Sequence, residues 1–137
     1  MGHLGQPVIE YPEAFDRSLP AGFDGVFEWD FLRGCFGPTI MPMDFDAVVE
    51  RKGNFLVFET KDAGVPIKDG QRRTLTELIK RPHFTVIILR GKREANIDGF
   101  TVWQKGRVSR HPHADADDLR AYCTAWFAWA DQHERTP

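Results

Sequence analysis

Long apolar runs, closely spaced cysteines and the glycine signatures of nucleotide or serine-hydrolase chemistry are all missing from this chain of 137 residues. No segment approaches the roughly twenty apolar residues that a membrane helix needs, so no membrane partner is expected. The opening MGHLGQPVIE has no basic run followed by an apolar one, which argues against a secretory leader. Its Met-Gly start carries Gln6, where a myristoylation signal has Ser or Thr. The two cysteines, Cys35 and Cys123, make neither a ligand pair nor a disulfide framework. A chain so built suits a reducing compartment, and a cytoplasmic location is expected. There is no Walker loop, no GxGxxG and no Gly-x-Ser-x-Gly elbow, so nucleotide, dinucleotide and serine-hydrolase chemistry have no motif to rest on.

What is present is a single-domain length with 42% hydrophobic and 12% aromatic residues, enough for a sizeable core. Net charge is −2, but it is unevenly spread. Residues 1–49 hold two basic and eight acidic side chains, 50–110 hold fourteen and seven, and 111–137 hold two and five. The basic middle is suited to a polyanion.

Taken in order, residues 1–20, with Pro7, Pro12 and Pro20, read as an extended N-terminal arm. Phe23, Val26, Phe27 and Phe31 predict a helix over 23–33, capped by Asp24 and stopped by Gly34. Gly37-Pro38 breaks the chain, and a short strand is expected over 39–43. Residues 41–61 then read as two strands joined by a tight turn at Lys52-Gly53-Asn54. A helix is expected to begin near Gly70, with Gln71, Leu75, Leu78 and Ile79 on its sheet-facing stripe. Pro82 ends it, and the apolar run after His83 predicts a strand buried on both faces. Residues 100–110 read as edge strands with a turn at Lys105-Gly106. The stretch from Asp115 to His133 predicts a helix whose Leu119, Tyr122, Trp126 and Trp129 face a core. His111, His113 and Asp115 sit in a Pro-containing turn and lack a second ligand pair, so zinc is not expected.

Both strands of the hairpin carry acids where apolar residues would be expected. Side chains alternate across a strand, so Asp44, Asp46, Val48 and Glu50 share one face, and Phe55, Val57, Glu59 and Lys61 share one face of the next. Pairing these faces brings Asp46 beside Glu59, with Lys61 one step along. Two carboxylates held together repel unless a cation sits between them, and hard divalent ions accept such ligands. About 0.35 Glu-x-Lys triplets are expected by chance in this composition, falling to about 0.03 once an Asp at one fixed upstream offset is required. Strand context and the following helix add to that weight.

The arrangement resembles the PD-(D/E)XK nuclease superfamily, the restriction-endonuclease-like fold. Asp46 matches its Asp and Glu59-Thr60-Lys61 its (D/E)-x-K, while Met43 separates Pro42 from Asp44 and so breaks the "PD" half of the pattern. The thirteen residues from Asp46 to Glu59 are similar to the spacing in the archaeal Holliday junction resolvase branch, and the chain resembles that branch and the small phage-type endonucleases. The resemblance covers roughly residues 23–90, with 98–137 adding edge strands and a C-terminal helix. It implies a single α/β domain over 1–137, in three layers, with a central mixed β-sheet flanked by helices. It further implies metal-dependent phosphodiester hydrolysis, with DNA as the expected substrate. Asp46, Glu59 and the Thr60 carbonyl would hold Mg²⁺ or Mn²⁺, Lys61 would stabilise charge or orient water, and Gln71 would position water or substrate. Glu28, on the first helix, takes the superfamily's further acidic position. Arg72, Arg73, Arg90, Lys92 and Arg93 are the candidates for nucleic-acid backbone contacts, and the resemblance is compatible with a homodimer. The alternative expectation is a non-catalytic nucleic-acid-binding or interaction module that keeps the fold.

Overall fold

Alternation of side chains builds the sheet. In the computed structural model, which describes residues 27–136, β1 (Ala47–Arg51) runs antiparallel to β2 (Asn54–Lys61), with Val48 opposite Val57 and Glu50 opposite Phe55. Lys52 and Gly53 both have positive φ, 51° and 80°, the backbone that a two-residue hairpin matched to strand twist demands. The same Lys-Gly pair, at φ 50° and 71°, turns β4 (Phe100–Gln104) into β5 (Arg107–His111). Between the hairpins, β3 (Phe84–Arg90) pairs parallel with β2 and antiparallel with β4. The five strands lie in the order in which they occur along the chain.

The parallel β2–β3 step needs a crossover, and α1 (Asp69–Ile79) supplies it. Leu75 and Ile79 of α1 pack with Val57, Val86, Ile88 and Trp103 on one face of the sheet. The other face, carrying Leu56, Ile87, Phe100 and Val102, is covered by Trp126 and Ala130 of α2 (Ala116–Asp131). Asp115 caps α2 by accepting from the Asp118 N–H at 3.0 Å, one of the donors that a helix start leaves open. The result is a three-layer α/β arrangement, helix on mixed sheet on helix, as expected.

Two expectations upstream are corrected. The described residues group into two compact units divided between Thr39 and Ile40, and both corrections fall at or before the first strand. The arm over 1–20 and the first part of the helix expected over 23–33 lie outside the described residues. From Phe27 onward only Asp30–Leu32 form a single 3-10 turn. Phe27 and Phe31 are 61% and 69% exposed, and Phe27 packs on Trp29, ring centroids 4.6 Å apart, with Phe31 edge-on at 6.1 Å. A short amphipathic stretch holds a helix only where packing covers its stripe, and Phe27 and Phe31 stay largely exposed. Residues 41–46 likewise form no strand: Pro42 has no N–H to give to a ladder, and Met43 is instead held by packing on the α1-side core.

The β1–β2 turn is fastened from far along the chain. Asn54, 1% exposed, donates to the His133 carbonyl at 2.8 Å and accepts from Arg135 Nε at 3.0 Å. Arg51 pairs with Asp131, and the Arg135 N–H donates to the Lys52 carbonyl at 2.8 Å. A Cβ at Gly53 would lie 3.0 Å from Arg135 Cβ, so glycine here serves both the turn and the close approach. Asn54→Ala is expected to lower stability by about 1–3 kcal/mol, because it removes the buried amide that joins the turn to the His133 carbonyl and the Arg135 guanidinium; urea unfolding measures it, and a loss under about 0.5 kcal/mol, typical of a neutral surface change, would contradict it.

Candidate active site

Glu59 occupies the α1 face of β2, two residues beyond Val57, and is 6% exposed. Strand alternation that buries Val57 in the core also carries the Glu59 carboxylate inward. Its Oε1 lies 3.7 Å from Lys61 Nζ, and its Oε2 is buried with no hydrogen-bond partner. The carboxyl pKa is raised above 4.5. Burial is the main cause, and the Asp46 charge pushes the same way; the Gln71 side-chain amide and then Lys61 oppose them. These three neighbours are the residues the sequence placed around Glu59. The Gln71 Oε1 is itself buried without a partner.

Asp46 stands one residue before β1, not in the strand interior that its spacing predicted. Its N–H still donates to the Phe58 carbonyl at 3.1 Å, continuing the ladder. Its Oδ2 then takes the place of the next backbone acceptor, receiving the Thr60 N–H at 2.7 Å and the Thr60 hydroxyl at 2.9 Å. Thr60 thus fixes one carboxylate oxygen of Asp46. No residue pattern signals this bond, because it depends on the β1–β2 register. In a strand the N–H and C=O of one residue face the same edge, so the Thr60 carbonyl is turned toward the Asp46 side as well.

The surrounding cations divide into two groups. Arg90, opposite Lys61 in the β2–β3 register, donates to the Asp62 carbonyl at 3.2 Å and to the Val65 carbonyl. Lys92 pairs with Asp62 at 3.4 Å. Both therefore hold the loop that leads from β2 toward α1. Arg72 and Arg73 are exposed on the first turns of α1, with the Arg72 guanidinium 5.8 Å from the Trp103 ring centre. Arg93 is exposed in the turn before Glu94–Asn96. Asp44 is exposed in the irregular 41–46 stretch, and Glu28 is exposed in the other unit, outside any helix. Among the described residues no group of three or more His, Cys, Asp or Glu is placed to hold a metal; the cluster here contains two acids, an amide and a lysine. His111 is stacked on Phe100 at 4.6 Å, and His113 faces Asp98 at 3.2 Å.

A carboxyl with a raised folded-state pKa binds a proton in the folded chain that the unfolded chain has already lost. Ionised Glu59 therefore costs stability at pH above its folded pKa, and that cost disappears as pH falls through that value to below 4.5. Glu59→Gln is expected to raise the thermal midpoint at neutral pH in chelator, with the gain vanishing below 4.5. Equal midpoints for the two proteins across the whole range would refute it.

With the geometry in hand, comparison with protein-family models, with curated proteins and with solved structures finds no match to this chain.

Proposed function

We propose that the protein is a metal-dependent phosphodiesterase acting on nucleic acid, with DNA as the substrate. The observation that carries this reading is the buried Glu59 carboxylate: one oxygen faces Lys61, the other has no partner, and Asp46 stands near enough to raise its pKa. A site that keeps two carboxylates together at a cost to the fold has a use for a cation. The available donors are hard oxygens, from Asp46, Glu59 and the Thr60 carbonyl, and suit Mg²⁺ or Mn²⁺.

When bound, such an ion supplies Lewis acidity toward a phosphoryl oxygen and a water molecule. Asp46 would hold it through the oxygen that Thr60 leaves free, since Thr60 restrains Oδ2. Lys61, 18% exposed at its side chain, offers its ammonium to the charge that builds on the phosphoryl group. This electrostatic role suits a lysine better than proton abstraction at neutral pH. Gln71 orients water or substrate. Arg72 and Arg73, at the start of α1 beside Gln71, serve the phosphate backbone without reading sequence. Arg93 is a further candidate for that task, whereas Arg90 and Lys92 already hold the site loop.

Lys61→Met should abolish DNA cleavage, whereas Mn²⁺ affinity should stay the same or rise, since the ammonium competes with the ion for Glu59. Cleavage assays and calorimetric Mn²⁺ titration check both halves; retained cleavage would remove Lys61 from the chemistry. The double variant Arg72→Ala/Arg73→Ala should weaken binding to unrelated DNA sequences alike and flatten the salt dependence of affinity by about two units of slope. An unchanged slope, measured with Ca²⁺ to hold turnover back, would mean that the DNA takes another path.

A further inference from the structure

We infer that Gln71 is itself a ligand to the divalent cation, through its side-chain carbonyl oxygen, in addition to orienting water. The inference rests on the reading of Asp46 and Glu59 as a metal site.

Gln71 shares the sheet-facing stripe of α1 with Leu75, Leu78 and Ile79. A leucine would suit that position as packing. What stands there is a carboxamide whose Oε1 is buried and accepts nothing. Facing it across the layer, Glu59 also keeps one buried oxygen without a donor. Two unpartnered acceptors, one on helix α1 and one on strand β2, thus lie on the same side of the sheet, and the Gln71 amide is among the near neighbours of the Glu59 carboxyl. The cationic side chain at hand, Lys61, approaches the other Glu59 oxygen. What both free oxygens lack is the same thing, an electron-pair acceptor, and a hard cation takes neutral carbonyl oxygens alongside carboxylates.

The carboxamide is suited to two states. A half-turn about its terminal torsion exchanges oxygen and nitrogen while the rest of the side chain stays in place. In one orientation the amide would present its nitrogen to the Glu59 charge. With metal, the oxygen joins the Glu59 carboxylate on the ion. A leucine could do neither.

The test uses Mn²⁺ alone with the full chain, free ion being followed by electron paramagnetic resonance and bound ion by calorimetry, without nucleic acid. Gln71→Met, close in length but without the oxygen, should weaken Mn²⁺ binding about tenfold or more, and Gln71→Glu should bind the ion more tightly than the parent chain does. Glu59→Gln is the control that removes the ion altogether. If Gln71→Met binds Mn²⁺ as the parent does while Glu59→Gln does not, Gln71 is no ligand and the metal site itself stands. If the parent chain binds no Mn²⁺, the underlying reading falls and this inference with it. Should Gln71→Met fail to fold, Gln71→Glu decides alone: tighter binding supports the assignment, and unchanged or weaker binding overturns it.

Discussion

Strand β2 is hydrogen-bonded along both edges, antiparallel to β1 and parallel to β3, and most of what the molecule does is fixed by that double pairing. Slippage by one residue would turn Leu56 and Phe58 to the α1 side and Val57 and Glu59 to the α2 side. Both cores would then lose their central members. The register is therefore held by apolar burial on each face at once, and the polar end of the strand inherits it. Glu59 is placed by the packing of Val57, and Thr60 meets Asp46 because Val48 meets Val57.

The site is consequently assembled at the carboxyl end of a parallel strand pair, next to the start of the crossover helix. Open α/β sheets leave a crevice in that place. Here the groups at that end make opposing demands: burial works against the Glu59 charge, Asp46 adds to it, and Gln71 and Lys61 relieve it. Such opposition is costly in an isolated fold, and it is why local sequence rules fail at Glu59, an acid where the strand's alternation calls for an apolar side chain.

Elements with strong periodicity were legible in the sequence. The hairpin, β3, α1 with its inward Gln71, the second Lys-Gly turn and α2 all follow from alternation, helical stripe and turn chemistry. The stretch before β1 was not. Helical spacing of Phe23, Val26, Phe27 and Phe31 carries no information about whether a surface exists to receive the stripe, and in the described part none covers Phe27 or Phe31. Of the site, the neighbourhood of Asp46, Glu59, Lys61 and Gln71 could be read from strand parity and helix phase. The grip of Thr60 on Asp46 could not, nor could the use of Arg90 for the Asp62–Val65 loop. Those bonds join side chains to backbone atoms that only tertiary structure brings near.

The fastening of the β1–β2 turn has a consequence for the order of events during synthesis. Asn54 bonds to His133 and Arg135, separated from it by 79 and 81 positions. Short-range pairing forms a hairpin within microseconds, long before a ribosome adding about 5–20 residues per second has made those partners. For several seconds the nascent chain therefore has the β1–β2 segment without the partners of Asn54 and without α2 to cover the sheet, a stage at which a lone hairpin is only marginally stable. Residues Asp131 to Arg135 act as a late clasp, and until they emerge the strand that bears Glu59 has its register proposed by the turn and not yet enforced by the fold.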